Sequence, residues 1–406
     1  MTKTLSTSRP ATARKPVPRG IARSGPAILS YGFRPFFLFA GIVAVLDMVL
    51  WIGALSGWWE VGGPEGPIAW HGHEMLFGYA TAALGGFVLT AVPNWTGRLP
   101  VSGPPLLGLI GLWAAGRILL MLPVTAGSPV SAVVDCLYLP ALAFVVTREV
   151  VVGRNWPNVR VAFGLSALAL LNIAFHMASF AGWDETPVLR GAVALFIALV
   201  CQVGGRIIPS FTRNYLARRG AERLPRPLGR IDHAALAAAT LAGVAWTILP
   251  EGWPTALLCI GAAIVNAARL AGWRGQQTWR EPLLLVLHVA YAFIPLGFVC
   301  VAAAAIELVS PASALHVLTV GVIGLTTLAV MTRASRGHTG RPLIASWITT
   351  TAYGCLAVVA LLRPLAEMLP DAYHPILAAS AIGWIVAFSL FVGEHAPMLI
   401  RPSRGR

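Results

Sequence analysis

The run Trp70-His71-Gly72-His73-Glu74-Met75 holds the densest group of chemically capable side chains in the sequence. It opens an otherwise apolar stretch over about 68–91. Neutral imidazole is a ligand for haem iron and for copper. Successive residues of an α-helix rotate by about 100°, so His71 and His73 point about 200° apart. They cannot hold one metal ion from one face. One suits an axial ligand, and the other suits a second metal or a hydrogen bond. His71 shares its face with Glu74 and Met75, three and four residues on. Glu74 there would steady the histidine or carry a proton. The plainer reading makes these interfacial polar residues, with Trp70 in the aromatic belt.

Other histidines fall in or beside apolar runs, where an ionisable group is costly and functional by default. His176 follows Asn172 by four residues; it is a metal ligand or one half of an interhelical hydrogen bond. His288, three residues before Tyr291, suits a second-metal ligand or a proton path. His316 precedes Gly321 and Gly324, which permit close approach by a ring or a helix, and is read as a ligand. His233, His374 and His395 sit at the ends of apolar runs, where water would solvate them. The five cysteines stand singly, and the absence of CxxC excludes zinc-knuckle, iron–sulfur and c-type haem signatures. No Ser-His-Asp set, P-loop or dinucleotide fingerprint occurs.

These side chains need helices to position them. Of 406 residues, 57% are apolar and only 11% charged. A soluble chain carries about 25% charged residues, so most of this one cannot face water. Apolar runs long enough to cross a bilayer recur at about 36–55, 68–91, 104–122, 130–151, 161–181, 187–208, 233–250, 254–272, 283–305, 311–331, 344–364 and 375–394. The expectation is an all-α polytopic membrane protein of twelve helices. A soluble enzyme and a β-barrel are excluded. The chain divides into a basic tail over 1–28, expected to be disordered, and a twelve-helix domain over 29–406.

Charge gives the orientation. Of 30 Lys and Arg, all but Arg117, Arg190 and Arg363 fall on the side that holds the N-terminal tail. By the positive-inside rule both termini are cytoplasmic. The net charge of +14 then reflects topology, and no nucleic-acid partner is needed. The connection at about 209–232 divides the helices six and six, as in many transporters. Helices two, six and ten end in Thr96-Gly97-Arg98, Thr212-Arg213 and Thr332-Arg333, which suggests three pseudo-repeated four-helix units. In this topology His71, His73, His176 and His316 lie at similar depth near the outer face. The arginines at the opposite face include Arg206 and Arg341, and they follow from topology.

Ordered blocks of sequence resemble the NnrS family. They include Tyr31-Gly32-Phe33-Arg34-Pro35-Phe36-Phe37 and Trp70-His71-Gly72-His73-Glu74-Met75-Leu76-Phe77-Gly78-Tyr79. Further blocks are Gly204-Gly205-Arg206-Ile207-Ile208-Pro209-Ser210-Phe211-Thr212-Arg213-Asn214 and Met331-Thr332-Arg333-Ala334-Ser335-Arg336-Gly337-His338-Thr339-Gly340-Arg341-Pro342. The resemblance implies haem and copper cofactors and a role in nitric oxide tolerance at the bacterial inner membrane. A second likeness is to the haem–copper oxidases and nitric oxide reductases, carried by His71, Met75, Gly85-Gly86-Phe87, Pro93 and His316. Helix ten here has one His, and no adjacent His-His pair exists for copper, so a standard binuclear centre is not expected.

The leading expectation is a membrane protein that handles nitric oxide, by reduction or by binding. It carries non-covalent b-type haem, and copper is a candidate second cofactor. Ligands come from His71, His73, Met75, His176, His288 and His316, with Glu74 as the catalytic proton carrier. Its partners would be nitric oxide or a related small molecule, membrane lipid, and an electron donor that the sequence does not identify. The alternatives are a secondary transporter of small anions or metal complexes, and a haem sensor without turnover.

Overall fold

The structure, a computed structural model, describes residues 25–403. The tail expected over 1–28 falls almost wholly outside the described residues. Twelve helices are long and apolar enough to cross a membrane: α1 (Phe33–Leu55), α2 (Gly63–Thr96), α3 (Pro104–Met121), α4 (Pro129–Val152), α5 (Trp156–Ala181), α6 (Thr186–Arg218), α7 (Arg230–Ile248), α8 (Trp253–Ala271), α9 (Pro282–Ala305), α10 (Pro311–His338), α11 (Trp347–Leu365) and α12 (Pro370–Ile400). No strand occurs among the described residues. The protein is a multi-pass membrane protein. Phe163, Leu170, Ile264 and Val358 are each more than half exposed on the bundle's outside, where lipid rather than water would cover them. The helices outrun their apolar cores. Thus α6 runs on to Arg218, well into the connection expected over 209–232. Backbone hydrogen bonding continues a helix after hydrophobicity has ended.

Helices adjacent in sequence pack side by side, and α12 closes the ring against α1. The last helix of each four-helix unit packs on the first of the next: α4 on α5, α8 on α9, α12 on α1. At the centre α2, α6 and α10 touch one another. The three expected units are therefore arcs around three inner helices. Burial is greatest for α2 and α10, at 78% and 67% of their apolar windows. The block around Arg34 has a structural purpose. Its Nη1 donates to the carbonyls of Met398, Leu399 and Arg401 at 3.2, 2.9 and 2.7 Å, satisfying the end of α12 with a cation on the negative end of its dipole.

The two most buried helices share a local irregularity. Both widen into π-helix, over Glu74–Ala80 in α2 and Val317–Gly324 in α10. Each π-segment begins directly after a histidine, His73 in one and His316 in the other. A wide turn leaves carbonyls off the α-helical register, and side chains of α3 and of α2 itself satisfy them. Trp113 Nε1 donates to Gly78 O at 3.0 Å, and the Thr81 hydroxyl donates to Phe77 O. Such turns are frequent at functional sites.

Candidate functional site

His73 is 1% exposed and lies among side chains from α3, α4 and α5. Its Nδ1 is 3.0 Å from Glu74 Oε1, and its Nε2 is 2.9 Å from Asn172 Oδ1 and 3.3 Å from Asp135 Oδ2. His176 Nε2 lies 2.9 Å from the same Asp135 oxygen. Asn172 Nδ2 also donates to it, at 2.8 Å. One donor atom each from His73, Asp135 and His176 falls within 4.8 Å of the others. His176 thus pairs with a neighbouring helix, through Asp135, and the same group has the donor spacing of a ligand set.

Arg117 holds this group in place. Its Nη1 donates to Glu74 Oε1 at 2.8 Å, and its Nη2 donates to Asp135 Oδ1. Two glycines make the room. A Cβ on Gly78 would meet Arg117 Nη1 at 2.7 Å, and one on Gly116 would meet Asp135 Oδ1 at 3.0 Å. Several polar atoms stay unmatched nearby. Glu74 Oε2, Arg117 Nε and both carboxylate oxygens of Asp47 are buried without a hydrogen-bond partner. Asp47, on α1, is fully buried and within electrostatic reach of Glu74, Arg117 and His73.

His73 presents a hydrogen-bonding conflict. Both ring nitrogens face oxygen acceptors, and a neutral imidazole has only one N–H. A metal ion on Nε2, with Nδ1–H donated to Glu74, resolves it. Metal-bound histidines commonly carry a carboxylate of this kind on the other nitrogen. The residues fit a metal.

His71 belongs to a different neighbourhood. Its ring stacks on Trp51 of α1 at 4.5 Å and 11°. It lies within electrostatic reach of His316 on α10 and Arg363 on α11. His71 Nδ1 is buried without a partner. His316 Nδ1 donates to Ala312 O at 2.7 Å, which fixes its tautomer and leaves Nε2 as the bare nitrogen. Between the two motif histidines, Gly72 lets α6 approach: a Cβ there would meet Leu189 at 2.8 Å. As the helical rotation requires, His71 and His73 serve opposite sides of α2.

Other expected site residues are paired differently. Glu74 does not join His71; its carboxylate bonds to His73 and to Arg117, the cation that draws it to that side. Nor is it interfacial, being fully buried. Met75 is half-buried and packs against the apolar core. His288 stands apart from the other candidate ligands. Its Nε2 is 2.8 Å from Thr212 Oγ1, whose own proton goes to Ile208 O at 2.9 Å. The space over Gly321 and Gly324 is taken by Phe293 and Trp384, so those glycines serve packing. His395, expected at a solvated helix end, is fully buried and bonds Phe391 O at 3.2 Å.

Sequence reading missed Asp47, Asp135 and Arg117. A signal was available, because each is a lone ionisable residue in an apolar run. The three arginines that break the charge asymmetry also prove informative. Arg117 holds the cluster, Arg363 pairs with Glu367 at 2.7 Å beside His316, and Arg190 lines a cavity of about 870 Å³ bordered by Ala312, Leu315 and Glu367. Two of the three exceptions, Arg117 and Arg363, lie beside candidate site histidines.

Among curated proteins, no match to this chain was found. A family model described as NnrS protein matches residues 27–403, nearly the whole of the chain. The chain belongs to the NnrS family.

Proposed function

We propose that this protein handles nitric oxide at two adjacent centres on opposite sides of α2, in the bacterial inner membrane, with both termini cytoplasmic. The carrying observation is the separation of partners: His71 faces α1, α10 and α11, while His73 faces α3, α4 and α5. His71 and His316 are the residues that would hold a haem. A buried, unpartnered nitrogen on one and a fixed tautomer on the other fit that group. Bound there, haem would supply electrons to the neighbouring centre. His73, Asp135 and His176 are the residues suited to hold a metal ion.

The surrounding residues orient and insulate. Trp51 restrains the His71 ring by stacking. Glu74 and Arg117 fix the His73 ring and the Asp135 carboxylate. Phe77 and Phe175 pack against His73, with ring centres 5.2 and 4.6 Å away, and exclude water from its ring. Glu74 retains one unpartnered oxygen, which is the atom available for proton traffic. The absorption spectrum of the purified protein, with and without nitric oxide, tests this reading. A Soret band at one haem or more per chain, perturbed by nitric oxide, is the expected result. A spectrum without haem overturns it.

One observation favours a transporter instead, namely the cavity of about 870 Å³ lined by Arg190, Glu251, Glu307 and Glu367. Loading of small anions into proteoliposomes that contain a haem-free protein would establish that alternative.

A further inference from the structure

We infer that His73, Asp135 and His176 form a site for a divalent, non-haem iron ion rather than for copper. The inference rests on reading this cluster as a metal site, and it adds which metal the site selects.

The donor set is the first argument. Two imidazole nitrogens and one carboxylate oxygen converge within 4.8 Å of one another. Among the described residues no cysteine joins them. Copper(I) is selected by soft sulfur ligands and accepts imidazole, whereas a carboxylate is a hard donor. Two histidines with one carboxylate, and positions left open, make the ligand set of non-haem iron(II) sites. The positions of Asn172 and Glu74 extend this pattern. Asn172 already donates to the ligating Asp135 oxygen at 2.8 Å, and Glu74 takes the far nitrogen of His73 at 3.0 Å. Both would orient ligands without occupying the open positions.

Burial is the second argument. Asp47, Glu74 and Asp135 are acids at least 96% buried, and Arg117, at 3% exposure, is the arginine beside them. Acids buried in a low-dielectric interior are costly unless something completes the group, and a cation among them does so. His71, by contrast, stands beside Trp51, His316 and Arg363. The two sides of α2 therefore differ in their neighbours as well as in donors.

The experiment counts metals in the full-length protein, purified in detergent from cells supplied with iron, copper and zinc. Elemental analysis gives total iron, and the pyridine haemochrome gives haem. The expected result is about one equivalent of iron per chain above the haem. That equivalent should be lost in Asp135→Asn and in His176→Ala while haem absorption is kept. His71→Ala should do the reverse. Should a cluster variant fail to assemble, the wild-type protein suffices: anaerobic nitric oxide should give the high-spin EPR signal of a non-haem iron(II) adduct. One equivalent of copper or of zinc, or no metal beyond the haem, overturns the inference. A protein without haem that still holds the extra iron would instead break the two-centre reading and leave this one standing.

Discussion

Two buried polar groups sit in different parts of this bundle, and they are built on opposite terms. One is the cluster of His73, Glu74, Arg117, Asp135 and His176. The other joins α6, α7, α8 and α9 through Arg269. There Arg269 Nε donates to Asp232 Oδ1 at 2.8 Å, and its Nη1 donates to Cys201 O at 2.8 Å and to the Tyr291 hydroxyl at 2.9 Å. Tyr291 in turn donates to Asn266 Oδ1 at 2.7 Å, and Asn266 Nδ2 donates to two carbonyls. One cation meets one anion, and no side-chain atom of Arg269, Asp232, Asn266 or Tyr291 is buried without a partner. Such a network closes on itself and works as a fastener between helices. The histidine cluster does not close. It has more acids than arginines, an orphaned Glu74 oxygen and a histidine that two acceptors contest. A buried group in that condition is costly unless something else completes it. Satisfaction, more than polarity, separates the ligand-ready site from the fastener.

The largest effect should come from the histidines beside the cluster. Substituting His71 or His316 by Ala should abolish haem absorption, since each variant leaves only one imidazole of the pair. His73→Ala should leave that absorption in place. Identical spectra for His71→Ala and His73→Ala would erase the distinction between the two sides of α2.

Paired replacements come next and address the comparison directly. Replacing Arg269 by Met together with Asp232 by Leu removes a satisfied pair, and the change in stability should be small or favourable. Arg269→Met alone should cost about 3–5 kcal/mol, because Asp232 is left buried and uncompensated. In the cluster, Arg117→Met alone should cost as much. There the double change of Arg117 to Met with Asp135 to Leu should also remove the metal. Thermal unfolding in detergent and metal analysis of the same samples check both halves. A metal-replete double variant would show that the cluster, too, is only a fastener.

Glu74→Gln probes the ring orientation of His73. The amide keeps the shape but loses the charge that holds Nδ1–H. Metal affinity should fall by about 10–100-fold, read by competition with a chromogenic chelator. Gly78→Ala is gentler, because its new methyl would press on Arg117 Nη1. A loss of about 1–3 kcal/mol in stability is expected, as for other overpacked interiors. The smallest effect belongs to His288→Ala. His288 bonds Thr212 on α6, away from the other candidate ligands, so haem and metal contents should be unchanged. A loss of either would bring that region into the site.

Much of this protein was legible in its residues alone. Span number follows from apolar length, a local property that each helix satisfies by itself against lipid. The charge asymmetry named the arginine-rich end, but its exceptions, Arg117 among them, were not legible as a site. Opposed roles for His71 and His73 followed from helical rotation, which nearest neighbours along the chain impose. The contents of the cluster lay beyond such reasoning. Asp135 reaches His176 across 41 positions of sequence, and Arg117 reaches Glu74 across 43. Local periodicity cannot say which lone acid on one helix meets which base on another, because packing sets helix rotation and depth. The placement of Glu74 carries the same lesson at shorter range. Regular geometry put Glu74 with His71, and the tertiary contact from Arg117 draws its carboxylate to His73. Sequence determined which side chains enter the membrane; only the packing of α2 against α3, α4 and α5 decided which of them share one incompletely satisfied site.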